Sequence, residues 1–472
     1  MNRYRLPLLA AAVALSTVAA VNPLHLFHTH EELRQHAHKQ PTASQIAPTT
    51  PVIDAPCVDG MADVFPCDGV DLLSYTPVGS MTGIGAQAQA GRISDVWGWT
   101  DPETGDEYVL LGKLNGAGFF RVTDPTAPVY LGDIPGGGLV WFDIKVYADH
   151  AYVVSESPGY GMKVFDLTRL RGVDAAQDWI PDFVYPLTGS AHNLAINEDS
   201  GYAYVVGGNN GLAVQDHCLA GLHMIDLSMP GTPVFAGCYS QEGGPGLAGG
   251  IVGPVGELSR YVHDTHCVIY DGPDADHHDR EICFNSSETH LSIVDVTDKL
   301  ASTLVASVDY PFVEYAHQGW LTDDRGFFLM GDEGDESGAP QVQTTRTLIF
   351  DVRDLDAPKL HGEHFHETPS IDHNMYTDGP VLYQSNYTSG LRVLDTLDVE
   401  AEAALHQLAF FDVYPENDNA SFNGSWSNYP YFDSGTVAVS SYEGLFLVRV
   451  QDAVWDELAE RIEDRTEGGA EA

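Results

Sequence analysis

The sequence predicts an all-β chain: a seven-bladed β-propeller of four-stranded antiparallel blades, its ring closed by an N-terminal strand. Three observations predict it. A strand–turn–strand signal recurs seven times. A polar residue cluster opening an apolar run precedes each copy. A third apolar strand lies between opening and copy. Four strands per repeat, repeated around an axis, give a propeller.

The recurring signal is strongest in GFFRVTDPTAPVYLGDI (118–134), LHMIDLSMPGTPVFAGCYS (222–240), LSIVDVTDKLASTLVASVDY (291–310) and LIFDVRDLDAPKLHGEHF (348–365). Weaker copies are MKVFDLTRL (162–170), LRVLDTLDVEAEAALHQLAFFDVY (391–414) and LFLVRVQDA (445–453). Alternating apolar residues make one strand, Asp, Thr and Pro break it, and a second strand follows. The openings are SDVWGW (94–99), FDIKVY (142–147), AHNLAI (191–196), HDTHCVIY (263–270), AHQGWL (316–321), IDHNMY (371–376) and SWSNYPY (425–431). Between them lie YVLLGKL (108–114), AYVVSE (151–156), AYVVGG (203–208), EICFN (281–285), GFFLMGD (326–332), VLYQSN (381–386) and TVAVSSY (436–442). The seventh unit lacks a fourth strand. VDLLSYTPV (70–78) supplies one by pairing with 445–451, which leaves no free edge.

Outside the repeats, residues 1–20 read as a secretory signal peptide. Arg3 and Arg5 form a basic start, Leu6 to Leu15 an apolar stretch, and Val18-Ala19-Ala20 a small-residue cleavage site. No cysteine lies near that site, which argues against a lipoprotein anchor. Residues 21–56 read as a linker rich in His, Pro and Thr. Its His25, His28, His30, His36 and His38 suit a polar arm better than a metal site. Residues 57–451 form the propeller. Residues 452–472 read as a short acidic helix and tail, with Val454, Trp455, Leu458 and Ile462 on one face. No other apolar run is long enough for a membrane helix. The mature protein is expected to be secreted or at the cell surface, extracellular or periplasmic.

The 472 residues carry 22 Lys+Arg against 68 Asp+Glu, a formal charge of −46. Phosphate backbones are repelled, so nucleic acid is excluded as a partner. The acidity serves solubility in a salty medium or cation binding at the surface. Six cysteines are even in number. Their order favours local disulfides Cys57–Cys67, Cys218–Cys238 and Cys267–Cys283 over the other pairings. Each closes a loop worth ~3 kcal/mol in the chain-entropy model. No C-x-x-C pair exists, so a zinc–thiolate site is disfavoured.

In a propeller the first strand of every blade lines the channel, so the openings converge. Their leading side chains are Asp95, Asp143, His192, His263 with Asp264, His317, Asp372 with His373, and Trp426. Strand alternation lets about one of each adjacent pair face the channel. One reading is structural: His, Asp and Asn satisfy backbone groups and trapped water in a wet channel. The other is a metal or small ligand at one mouth. Imidazole with carboxylate suits Zn, Fe, Mn or Cu better than Ca. Calcium-loop candidates are Asp271, Asp274 and Asp276, near Asp279, His277 and His278, and Asp332 and Asp335 in the run 331–336. Neither fits an EF-hand, and both read first as solvated turns. Trp97, Trp99, Trp320 and Trp426 read as blade packing rather than sugar platforms. No G-x-S-x-G, H-E-x-x-H or P-loop is present, so no nucleophile is named.

Several longer segments together resemble the LVIVD-repeat propellers of the choice-of-anchor B family. They include CVDGMADVFPCDGVDLLS (57–74), SAHNLAIN, GLHMIDL, HDTHCVIY, REICFN, AHQGWLTDD, IDHNMY, SNYTSGLRVLD and SWSNYPYF, spread over roughly residues 57–450. The resemblance implies an exported, surface-associated repeat protein whose anchoring differs among members. It implies no established reaction or catalytic residues. The end, RTEGGAEA, shows no hydrophobic tail, basic stop or sorting signal. The expected function is binding of an extracellular ligand or protein at one channel mouth, with a bound cation. The alternatives are a metal-dependent hydrolase or oxidoreductase using the His/Asp ring, and a structural or adhesive module.

Overall fold

The computed structural model describes residues 44–81, 92–139, 141–208, 218, 220–240 and 261–468. The expected signal peptide and linker histidines lie outside them. Seven sheets form the described fold, antiparallel except that Gln177–Asp178 adds a parallel strand beside Val129–Pro135. Blade 1 runs Ile93–Thr100, Glu107–Lys113, Gly116–Arg121 and Val129–Pro135. Blade 2 runs Phe142–Tyr147, His150–Ser155, Met162–Asp166 and Phe183–Tyr185. Blade 3 is Asn193–Asn197, Tyr202–Val206, Leu222–Asp226 and Val234–Tyr239. Blade 4 is Asp264–Ile269, Glu281–Ser286, Leu291–Asp295 and Thr303–Val308. Blade 5 comprises Ala316–Leu321, Phe327–Asp332, Arg346–Asp351 and Lys359–Phe365. Blade 6 comprises Met375–Asp378, Val381–Asn386, Gly390–Asp395 and His406–Phe411. Blade 7 has Ser425–Tyr429, Val437–Ser441 and Gly444–Val450, and takes its fourth strand, Val70–Pro77, from the N-terminal side. The register runs from Gly444 opposite Pro77 to Val450 opposite Val70, which closes the ring as the sequence predicts.

The N-terminal segment does more than the sequence suggests. Phe65–Asp68 pairs with the outer strand of blade 6 before the chain crosses to blade 7. Val52–Ala55, inside the expected linker, pairs with Val70–Pro77 and forms the new edge. The Cys57–Cys67 disulfide ties these strands together, and Cys218–Cys238 and Cys267–Cys283 are also formed. At the other end the helix spans Asp452–Gly468, longer than expected. Val454 and Leu458 are buried against blades 6 and 7, while Trp455 and Ile462 stay partly exposed.

The blades share a local device that explains the repeated motif. Between the third and fourth strands, an Asp side chain accepts backbone N–H bonds and turns the chain. Asp124 accepts from Thr126, Asp298 from Leu300, and Asp354 from Asp356 and Ala357. A bulge then shifts the register of that pair in the same place, as at Phe119/Phe120, Ile293/Val294 and Ile349/Phe350. A fourth-strand glycine makes room for the next blade: a Cβ at Gly237 would stand 1.8 Å from the Lys299 carbonyl oxygen. Any side chain there would push blades 3 and 4 apart.

Apolar side chains fill every blade interface. Phe119 and Phe165 stack between blades 1 and 2, Phe284 and Phe328 between blades 4 and 5, and Phe411 meets Phe446 between blades 6 and 7. Equivalent clusters join the remaining pairs, including blade 7 to blade 1. Burial of this kind contributes roughly 25 cal/mol per Å² of apolar surface. It fixes seven inner strands around one axis, each in contact with its neighbours.

Candidate metal centre at the channel mouth

At the starts of the inner strands, His192, His263, His317, His373 and Trp426 form one level, ring beside ring. Asp95, Asp143, Asn193, Asp264 and Gln318 form the next level, bonded from blade to blade. The two levels do different jobs.

The second level laces the blades together. Asp95 accepts from the Ile144 N–H at 3.0 Å and Asp143 from the Leu194 N–H at 2.6 Å. Gln318 takes the Met375 N–H and donates to the Met375 carbonyl, and Asn193 donates to Asp264 at 2.9 Å. Asp95, Asp143 and Gln318 thus satisfy backbone groups of the blade beside them, while Asn193 and Asp264 pair side chain to side chain. Lys145, which the sequence reading passed over, sits between Asp143 and Asp95 at 2.5 and 3.5 Å. Burial disfavours its charge, but the two carboxylates hold its pKa above the usual range. Burial also pushes Asp264 up to about 7. Asp95 and Asp143 are thus bonded to the backbone of the neighbouring blade, and Asp264 to the Asn193 side chain.

The first level gathers the histidines. Ring centroids of His192 and His263 are 4.3 Å apart, those of His263 and His317 4.3 Å, and those of His317 and His373 4.4 Å. Trp426 continues the arc, 4.7 Å from His373, and packs with Tyr442 and Trp141. His263 donates from Nδ1 to the His317 carbonyl at 2.7 Å, and His373 from Nδ1 to the Trp426 carbonyl. A carbonyl oxygen only accepts, so Nδ1 carries the hydrogen and Nε2 bears the lone pair. His192 Nδ1 is 2.7 Å from Glu156 Oε1. Such partners fix the tautomer and aim of metal-binding imidazoles. His317 Nδ1 is buried without a hydrogen-bond partner among the described residues.

Glu333 completes the arrangement. It follows the second strand of blade 5 and reaches between two imidazoles. Its Oε2 is 3.7 Å from His317 Nε2 and its Oε1 3.7 Å from His373 Nε2. One atom from each of the three lies within 4.8 Å of the others. Tyr387 donates to Glu333 Oε1 at 2.7 Å. Burial lowers His373 to about 3, and burial with the neighbouring rings takes His317 well below the usual imidazole value. Burial raises Glu333 to about 7. Neutral imidazoles with a carboxylate are the donor set that zinc, iron, manganese or copper takes.

Other expected residues fall elsewhere. Asp372 does not join the imidazoles: an added Cβ at Gly331 would stand 1.6 Å from its Oδ2, so its carboxylate lies against blade 5. Asp332 and Asp335 are fully buried rather than solvated, because Arg346 threads between them and pairs with Asp335 at 2.6 Å. Asp271, Asp274 and Asp276 do not converge. Asp271 pairs with Arg325. Asp274 caps the Asp276 N–H and lies with His277 and Asp356 instead. Glu156 and Tyr387 are missed by sequence reasoning, and Glu333 is read only as part of the acidic turn 331–336, since none sits in an inner strand. The acidic run 331–336, set directly after an inner-layer strand and broken by left-handed Gly334 (φ 99°), is the signal that points to Glu333.

Beside the second level lies a small cavity lined by Trp97, Lys145, Asp264, Trp320 and Tyr376. His266 stacks on Trp320 there, with centroids 3.8 Å apart. Trp97 and Trp320 thus border open space, whereas Trp99 packs on Tyr108 in the core.

The fold defines the class, a seven-bladed β-propeller. No family model matches the chain, and no curated protein matches it. Among solved structures it is similar to a functionally unknown protein from Desulfotomaculum acetoxidans DSM 771, with 11% identity over 74% of this chain and 90% of the other at TM-score 0.45. A Lactobacillus plantarum protein gives 14% identity, 74% and 88% coverage and a TM-score of 0.44. The β-propeller domain of Myceliophteria thermophila Cps50 (Swd1) gives 8% identity, 73% and 93% coverage and a TM-score of 0.44. These likenesses carry nothing about activity or partners.

Proposed function

We propose that this chain is an exported, surface-associated β-propeller that holds one transition-metal ion on His317, His373 and Glu333. The imidazoles of His263 and His192 extend that site along the mouth, where an extracellular ligand or protein binds. The observation that carries the reading is the position of Glu333, 3.7 Å from the Nε2 atoms of both His317 and His373. Metal bonds of about 2.1 Å on each side would make the O–metal–N angle roughly 120°, open to a fourth donor. Without an ion, the Tyr387 hydrogen bond is what offsets the desolvation of the carboxylate facing these nitrogens.

Export is supported by the signal-peptide pattern of residues 1–20 and by three disulfides, which persist in oxidising compartments. Surface association is what the resemblance to choice-of-anchor B proteins adds. Among the described residues no helix is long and apolar enough to cross a membrane.

Elemental analysis of untagged protein tests the metal. One transition-metal ion per chain, lost in His317→Ala and in His373→Ala, is the expected result. Metal content that survives both substitutions contradicts the site. A metal-dependent hydrolase or oxidoreductase is the second reading, since an ion with an open position can activate water.

A further inference from the structure

A second group of donors lies behind the imidazole arc, at the junction of blades 5 and 6. Asp332 is not one of them. Its carboxylate accepts from the Tyr310 hydroxyl and the Glu314 and Tyr315 N–H groups. Asp335 gives one oxygen, Oδ2, to Arg346. The remaining oxygens are Asp335 Oδ1, Glu336 Oε1 and Oε2, and Asp372 Oδ1 and Oδ2. All are buried, and among the described residues no hydrogen bond reaches them from outside these three residues. One from each residue lies within 4.8 Å of the other two.

We propose that Asp335, Glu336 and Asp372 form a second cation site, separate from the imidazole centre, that takes one calcium ion. Asp372 carries the case. It comes from the lead-in to blade 6, not from the acidic loop of blade 5; it is fully buried with both oxygens unpartnered among the described residues, and one of them lies within 4.8 Å of oxygens from Asp335 and Glu336. The backbone makes room for it, since only a glycine at 331 leaves space for its Oδ2.

Charge points the same way. The Arg346 guanidinium acts on Asp332, Asp335 and Asp372, while Glu336 lies among the like charges of Asp332, Asp335 and Asp372. Uncompensated buried carboxylates are costly, and the cost is met by protons or by a cation. The only bond Asp335 and Glu336 can offer each other is a shared proton. An all-oxygen set containing carboxylates able to bind through both oxygens suits calcium, which takes six to eight oxygens at about 2.3–2.6 Å. Magnesium wants a smaller, near-octahedral shell and keeps its waters. The absence of imidazole from this group separates it from the transition-metal site next door.

The test is calorimetric titration of the chelator-treated full chain with calcium chloride, at neutral pH and physiological salt. One tight site per chain is expected, with a rise in Tm as it fills. Asp372→Asn and Glu336→Gln should each weaken binding by at least the 10–100-fold that removing an outer-shell partner costs. His317→Ala should leave calcium affinity unchanged, which keeps this site distinct from the transition-metal reading. Should Asp372→Asn fail to fold, Glu336→Gln decides alone, because its side chain is partly exposed and ties nothing together. Weak binding at many sites, binding indifferent to Glu336→Gln, or tighter binding of magnesium than calcium would overturn the proposal.

Discussion

Tyr387 donates a 2.7 Å hydrogen bond to Glu333, and that bond holds the carboxylate between His317 and His373. The tyrosine is fully buried in blade 6 and the glutamate belongs to blade 5, so the contact joins two blades across the mouth. Tyr387→Phe removes one oxygen and little volume. It should lower transition-metal affinity about 10–100-fold while the far-ultraviolet spectrum stays unchanged. Chelator competition measures this. An unchanged affinity would mean that Glu333 is not held by Tyr387.

The lacing at the second level and the apolar blade interfaces should make the ring cooperative, and its closure the vulnerable step. Leu72 is buried on the N-terminal closing strand, opposite Val448. Leu72→Ala should destabilise the fold by about 2–5 kcal/mol. Deleting residues up to 77 should expose the edge of Gly444–Val450 and cause aggregation. Urea unfolding of the first variant and size-exclusion chromatography of the second are the checks. A monodisperse, stable deletion would show that the strand is dispensable.

Cys267 and Cys283 face each other in register on the first two strands of blade 4. The paired Cys267→Ser/Cys283→Ser variant should lose about 3 kcal/mol, the loop-entropy contribution of a crosslink this local. Its urea midpoint should fall at unchanged slope. No shift in midpoint would mean that the sheet alone holds these strands.

Asp101 and Arg171 tie blade 1 to blade 2 through two hydrogen bonds of 2.7 Å. The guanidinium lowers Asp101 from 3.8 to about 2. A carboxyl whose folded pKa is depressed contributes stability above its unfolded pKa and loses it as pH falls through the folded value. The contribution should therefore be full above about pH 4 and lost as pH falls toward about 2. Arg171→Met should remove that portion of the acid dependence, read as a smaller drop in Tm over this window. An identical acid profile in the variant would exclude the pair as a contributor.

The propeller was legible because its repeat is written locally. Alternating apolar runs such as LSIVD and an Asp-led turn recur at similar spacing, and each has a direct structural consequence in blade 4. The imidazole arc was legible too, because His192, His263, His317 and His373 each open an inner strand. The partners were not. Glu333 and Tyr387 lie beyond second strands, and only the closure of blades 5 and 6 brings them to the mouth. Asp372 was misplaced for a related reason. One residue before His373, it points to the blade interface because side chains alternate along an extended chain. The strand Val52–Ala55 was hidden by the prolines around it, which an edge strand tolerates.

X-ray absorption at the edge of the metal found by elemental analysis tests the central claim most directly. A first shell of nitrogen and oxygen at about 2.0–2.1 Å is predicted, with the multiple scattering of at least two imidazoles and no sulfur. That imidazole signal should weaken in His373→Ala. An oxygen-only shell, or one unaltered in His373→Ala, would contradict a metal centre built on His317, His373 and Glu333.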